Sequence, residues 1–229
     1  MPIPTSSSMR IPRRLHRDEV HDRLSAAILD GTLEPAERIR DSELEVWLSV
    51  SRTPIRMALA RLEDTGLVET TSHRNTRVVP TRPWLVPGLV GTIWAAWALV
   101  ADDLVDAGPA GCAALLDELD QAVVHCGAAP VGGVSAAAVA ETLRRVGAAV
   151  SAVSSNAALA PLLTHLTTLA LHHASSEHHA ADAAFLVEGL ARARDAVAAG
   201  DPSAWRAAVG VLEVEALGCS TDGALPALR

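Results

Sequence analysis

A chain of 229 residues, 49% hydrophobic but only 3% aromatic, has the length for one small and one medium unit, and its alanine-rich apolar fraction favours packed helices over sheets. Three cysteines (Cys112, Cys126 and Cys219), odd in number and without ligand spacing, argue against a disulfide framework or a thiolate metal site and read as reduced thiols. The net charge of −8 and the complete absence of lysine look wrong for a nucleic-acid binder until the charge is followed along the chain.

Residues 1–16 read as a flexible arm, and Arg10, Arg13, Arg14 and, just past it, Arg17 fall within eight positions. Such an arm reaches phosphates beside a groove, adding salt-dependent affinity, or is only a disordered solubilising tail. Residues 19–30 have the spacing of an amphipathic helix, with Val20, Leu24, Ala27, Ile28 and Leu29 along the inward side and Gly31 as its stop. The stretch 42–61 then reads as two short helices with a tight connection. Leu44, Val46, Trp47 and Leu48 supply an apolar face to the first, and Ser49-Val50 makes the turn. Ser51 stands where an N-cap belongs, and Pro54 falls in the first turn of the second helix, where its missing N–H costs nothing. Ile55, Leu59 and Leu62 point inward, leaving Arg52, Thr53 and Arg56 on the outer part of that helix. A helix of this layout can enter a major groove and meet phosphates and base edges. Asp64-Thr-Gly66 stops it, and residues 67–70 and 76–79 flank a polar tip (71–75) as a β-hairpin wing. A cap followed by a solvated face would explain the serine, threonine and arginines alone. The ordered flanking helices and wing favour DNA binding.

On these residues the segment 17–80 resembles the winged helix-turn-helix domain of the GntR family of bacterial transcription regulators. The resemblance is carried by residues 28–33 (ILDGTL), 35–38 (PAER), 42–44 (SEL), 50–56 (VSRTPIR), 58–59, 61–63 (RLE) and 66–68 (GLV). It implies a double-stranded DNA operator as partner. Ser42, Ser51, Arg52, Thr53 and Arg56 would lie at the major groove, with Arg52 and Arg56 on guanine or phosphate. Arg38 would touch backbone, and Arg74 with Asn75 would reach the adjacent minor groove or phosphate. Family wings often carry glycine where Asn75 stands, and asparagine is the next residue to tolerate a left-handed conformation.

Thirteen arginines face twelve acidic residues through position 82, and six face fifteen beyond it. The acidic part is repelled from DNA, which confines contact to the winged domain. Prolines at 80 and 83 mark a linker at 81–84. Residues 85–218 then read as helices over about 85–105, 108–125, 135–153, 157–175, 177–199 and 202–217, followed by a flexible tail at 219–229. The expected fold is mainly α: a winged helix-turn-helix plus an all-helical bundle for effector binding and dimerisation. No apolar run is long and charge-free enough to span a membrane, since 87–101 soon meets Asp102-Asp103. The N-terminus has no apolar signal region, so a cytoplasmic location is expected.

In helix number and spacing this second part is similar to the effector domain of the FadR branch of the family, anchored by residues 154–159 (SSNAAL) and 196–201 (AVAAGD). In the metal-binding subtype, called FCD, an aspartate and three histidines hold a divalent ion that binds carboxylate effectors. Carried over from the anchors, those positions are Leu143, Gly147, Leu190 and Leu212, none of which can bind metal. Neither a metal nor another cofactor is therefore expected. The histidines His165, His172, His173, His178 and His179 offer helical pairs for zinc or nickel, but 172–179 reads more simply as a polar loop with exposed histidines. Arg144 and Arg145 are candidates to hold an acidic effector, because arginine forks match carboxylates, with Trp94 and Asn156 as further ligand-binding candidates. Core or dimer packing is the simpler role for Trp94, Trp97 and Trp205.

The sequence is thus read as a non-enzymatic repressor that binds a palindromic operator as a homodimer. A small-molecule effector in the helical domain would modulate its affinity. Two alternatives stay open: an effector-independent dimeric regulator, and a metal sensor or metal-dependent enzyme using the histidine cluster between His165 and His179.

Overall fold

The computed structural model describes residues 17–71, 75–129, 133–174 and 180–215. The basic arm, the wing tip with Arg74, the histidines His178 and His179, and the tail lie outside the described residues. The chain divides into two units between Arg82 and Pro83.

The first unit runs α1 (Arg17–Leu29), β1 (Arg38–Ile39), α2 (Asp41–Leu48), α3 (Arg52–Asp64), β2 (Val68–Thr70) and β3 (Thr76–Val78). Its core is built at helical spacing: Val20, Leu24 and Ile28 of α1 meet Ile55, Leu59 and Leu62 of α3. Each such side chain contributes about 1.5–3 kcal/mol when fully buried. The turn between α2 and α3 is made by Ser49, which enters the left-handed region (φ 53°) at the end of α2. Gly66 ends α3 in the same way (φ 74°), and the N–H of Leu67 returns to the carbonyl of Leu62 at 2.9 Å. That six-to-one bond satisfies a carbonyl the helix would otherwise leave open.

Three features of this unit differ from the sequence reading. Val46 is 73% exposed, because on short α2 the inward side is taken by Leu44 and Leu48, one turn apart, with Trp47 packed partly buried beside them. Residues 38–39 form an unforeseen third strand, and the sheet order is β1-β3-β2 with Arg38 opposite Arg77 and Ile39 opposite Thr76. Asn75 is not among the positive-φ residues. Its carbonyl instead accepts from the N–H of Thr71 (3.0 Å) and the Thr71 hydroxyl (3.2 Å), so the hairpin closes through that pair.

The second unit contains α4 (Val86–Trp97), α5 (Ala101–Gly111), α6 (Ala113–Gly127), β4 (Val134–Ser135), α7 (Ala136–Val153), α8 (Leu159–His173), β5 (Ala180–Ala181), α9 (Ala183–Ala199) and α10 (Pro202–Glu215). The helices pack in the order α4–α8–α7–α6–α9–α10, and α10 returns to α4 to close the bundle. The helix expected over 85–105 is instead α4, a 3-10 turn at Ala98–Val100, and α5. Gly108 (φ 62°, ψ 179°) then interrupts α5, with Pro109 starting the next turn. By length and composition the run Pro83–Gly111 is apolar enough to cross a membrane. Its inward residues Val86, Val90, Ile93, Trp94, Trp97 and Val100 are buried in the bundle, which is the packing of a core helix.

Helix ends in this unit follow cap chemistry. Asp182 starts α9 by accepting from the N–H groups of Ala184 (2.8 Å) and Phe185 (3.2 Å), so α9 begins later than residue 177. Gly200 (φ 63°) ends it, and Asp201 caps α10 through Ser203 and Ala204. The bundle interior is filled by indoles. Trp94 meets Trp97 edge-on at 4.7 Å, Trp205 stacks on Trp97 at 6.4 Å, and Trp205 Nε1 donates to the Trp97 carbonyl at 2.8 Å.

Candidate nucleic-acid interface

The N-terminal turn of α3 and the strands β1 and β3 face one another across an open cleft of about 660 Å³. Arg38 enters it from β1, Asp41, Ser42 and Glu45 from α2, Arg52 and Arg56 from α3, and Asn75 with Thr76 from the base of the wing. Seven of the eight DNA-binding candidates lie on this face or beside it, and Arg74 is outside the described residues. Ser51 occupies the N-cap position of α3 with extended backbone (φ −74°, ψ 166°), yet its hydroxyl makes no capping bond. Both Ser51 and Thr53 are exposed, so their hydroxyls are free to meet phosphate.

The arginines of this unit fall into two classes. Arg61 is paired with Asp18 at 2.8 Å, Arg77 with Glu69 at 2.6 Å, and Arg40 with Glu43 at 2.8 Å. These are exposed or half-buried pairs and add little stability. Arg38 and Arg56 have no acidic partner among the described residues, and both point into the cleft. Arg52 is intermediate: its Nε donates to Asp41 Oδ2 at 2.9 Å while its side chain stays 64% exposed. That hydrogen bond, followed by the charge of Asp41, raises the pKa of the Arg52 guanidinium.

A short recognition helix carrying two arginines and two free hydroxyls at its N-terminal turn, beside a two-stranded wing, is the architecture of a winged DNA reader. Residues 16–78 match the family model of bacterial regulatory proteins of the GntR family. These residues form a GntR-type DNA-binding domain.

A 51-residue segment is 39% identical to YdhC, an uncharacterized HTH-type transcriptional regulator of Bacillus subtilis (strain 168), covering 22% of this chain and 23% of that protein. Two solved structures resemble the fold over most of its length. They are McbR/YncC of E. coli (TM-score 0.59, 18% identity, 86% of this chain and 92% of that one) and a putative GntR regulator of Rhodococcus sp. RHA1 (TM-score 0.59, 20% identity, 86% and 91%). The family match concerns the winged unit, which is that of a bacterial regulatory protein, and the two solved structures show the fold of the chain.

The helical unit places its own candidates apart. Trp94 is 2% exposed, inside the core. Arg144 lines a cleft of about 130 Å³ between α7 and α8, where Ser151 and Thr164 also lie, and is held by both oxygens of Glu141 (2.7 and 2.6 Å). Arg145 lines a different cleft, of about 90 Å³ between α6 and α7, and pairs with Glu118 at 2.8 Å. Asn156 is exposed, and its side chain accepts from the N–H of Ala158 (3.0 Å) at the entry to α8. The four therefore do not form one pocket. Adjacent residues on a helix point about 100° apart, which sends the two arginines to opposite flanks of α7.

At the positions that the sequence reading carried over from the metal-binding subtype, Leu143, Leu190 and Leu212 are buried core side chains, and Gly147 leaves room for Trp97, whose Nε1 lies 3.6 Å from where a Cβ would stand. These residues offer no ligating atom, so they do not fit a metal. His172 and His173 are a correction to the sequence reading. They close α8 inside the bundle, 2% and 4% exposed with rings 4.9 Å apart, rather than sitting in an exposed loop. Among the described residues, no group of three or more histidine, cysteine or acidic side chains is placed to hold a metal.

Sequence reasoning passed over Asp41 and Glu45, the acidic residues of the cleft. A usable signal was present. Asp41 opens α2 and Arg52 opens α3, so both helix starts of the motif face the same groove.

Proposed function

We propose that this chain is a sequence-specific repressor that binds a palindromic operator as a homodimer through the cleft between α3 and the wing. The observation that carries this reading is the convergence of Arg38, Arg52 and Arg56 with Asn75 in that cleft, two of the arginines having no acidic partner among the described residues. Phosphate contacts from Arg38 and Ser51 would set the register, and α3 would supply base contacts. The charge division supports confinement of DNA to the winged unit. Exposed apolar side chains on the helical unit, including Leu99 (64%) and Val124 (72%), are what a partner copy would cover. A small acidic effector at Arg144 or Arg145 would modulate operator affinity by linkage, with no metal taking part. A cytoplasmic protein with no membrane partner fits this role.

The test is selection of duplexes from a random-sequence library with the full-length chain, followed by anisotropy titration and light scattering of the complex. The reading expects an inverted repeat bound by two chains, with chelator leaving affinity unchanged. Equal affinity for all duplexes would overturn it. Binding lost on chelation would restore the histidine-based metal reading.

A further inference from the structure

Asp41 presents a puzzle on the proposed DNA face. A carboxylate there repels phosphate, yet it lies in the cleft at only 19% side-chain exposure, bonded to Arg52. The bond joins a half-buried carboxylate to an arginine open to solvent, which screens it, so it adds little to stability and holding α2 to α3 is a poor reason for it. Its geometry suggests another. Asp41 Oδ2 takes the Nε–H of Arg52 at 2.9 Å; the charge of Glu45 also acts on this guanidinium, but its Nη1/Nη2 edge makes no hydrogen bond to a described residue. A guanidinium held through Nε keeps that edge as a flat two-donor fork, matching guanine O6 and N7. Arg38 and Arg56 have no such support and suit phosphate, where orientation matters less.

Resting on the DNA-binding reading, we propose that Asp41 is a positioning residue that commits Arg52 to reading one guanine, while Arg38 and Arg56 neutralise phosphate. Fixing the side chain before DNA arrives removes an ordering penalty worth a factor of about two to twelve in affinity. It also withholds Arg52 from neighbouring phosphates.

The experiment uses the full chain and a duplex selected by the wild type, with every base pair of one half-site substituted in turn. The position read by Arg52 is the one whose penalty Arg52→Ala abolishes. Wild type should lose about tenfold to hundredfold there. Asp41→Ala should bind the selected duplex about threefold to tenfold more weakly. Its penalty at that base pair should fall below about threefold, with the penalties at the other positions unchanged and the salt slope equal to or steeper than that of the wild type, because Arg52 is released toward phosphate. Asp41→Glu, which keeps the carboxylate, should recover part of the discrimination, and Asp41→Ala should add no loss in the Arg52→Ala background. A uniform loss over all positions, an equal loss in the Arg52→Ala background, or tighter binding to every duplex would each overturn the assignment. A wild type with no sequence preference would instead sink the DNA-binding reading itself, and thermal melting of each variant separates a folding defect from all of these.

Discussion

Gly189 and Gly210 lie on the two packed helices α9 and α10, and the same substitution should have opposite effects at them. A Cβ on Gly189 would stand 2.2 Å from Leu212 Cδ2 and 2.6 Å from its Cγ. Carbon atoms pack at about 3.5–4.0 Å, so Leu212 would have to retreat by more than about 1 Å. It is fully buried, so its retreat must press on other core side chains. Overpacking of this kind costs about 1–3 kcal/mol, against which alanine gains about 1 kcal/mol of helix propensity over glycine. Gly189→Ala should therefore destabilise the helical unit by about 1 kcal/mol, lowering its melting temperature by roughly 2–4 °C. A Cβ on Gly210 meets nothing within 4 Å, so Gly210→Ala keeps the propensity gain and should raise the transition by about as much. Scanning calorimetry of the full chain, with the transition of the helical unit assigned by tryptophan fluorescence in a Trp47→Phe background, since the other four tryptophans lie in that unit, reads both. If Gly189→Ala melts at or above wild type, the close approach of α10 to α9 is not a constraint and the argument fails.

Three further outcomes follow from the same reasoning. Ser49 holds a left-handed conformation that costs a side-chain-bearing residue about 1–2 kcal/mol; Ser49→Gly should recover part of this against glycine's own entropy of about 0.5–1 kcal/mol, and an unchanged or lower melting point for the winged unit would count against it. Hydrogen bonds from Ser155 and Ser154 hold Asp103 below the usual carboxylate range, and Ser203 with the N–H of Ala204 does the same for Asp201. A depressed folded pKa gives stability that is present above the unfolded value, about 3.9, and is lost as pH falls through the folded value. Urea midpoints should thus drop below about pH 4, with a shallower drop in the Asp103→Asn/Asp201→Asn double variant. Arg38→Ala and Arg56→Ala should each weaken all duplexes alike and reduce the slope of log K against log salt by about 1; a base-specific effect from either would reassign it to sequence reading.

The helices of both units were legible because their buried residues recur at 3.6-residue spacing: Val20, Leu24 and Ile28 in α1, and Ile55, Leu59 and Leu62 in α3, occupy the faces that pattern marks. Ends and breaks were less legible, since they depend on which of several cap residues the packing selects. Asp182 wins over earlier starts of α9, and Gly108 breaks an apolar run that periodicity alone leaves continuous. The strand β1 has two residues, too few for alternation to register, and its partner lies 37 or more residues away. Yet β1 is what brings Arg38 to the cleft. The arginines of α3 stood out because they occupy a helix start, whereas the role of Asp41 depends on a contact across the turn that no local pattern encodes.

The helical unit shows the same limit from the other side. Two family anchors in it turn out to be turn chemistry: Gly200-Asp201 closes α9 and caps α10, and Asn156 caps the entry to α8 while Asp103 ties down Ser154 and Ser155. Anchors of that kind survive as long as the helices meet at those corners, whatever the interior holds. The interior answers to a different demand. With leucines at 143, 190 and 212 and glycine at 147, no charged ligand set remains to be neutralised, and burial of hydrocarbon becomes the favourable course. Trp97 packs against Gly147, and Leu212 covers Gly189 so closely that a methyl group there would collide. Among the described residues that interior offers two unpaired polar side-chain atoms, the indole Nε1 donors of Trp94 and Trp97, and any effector group that reaches neither would be left unpaired, at about 1–3 kcal/mol for each. The flanks of α7 impose no such penalty, since Arg144 and Arg145 are already charged, partly hydrated and held by carboxylates that a stronger acidic ligand can displace. On the proposed regulatory reading, this places the effector's point of action at the edges of α7.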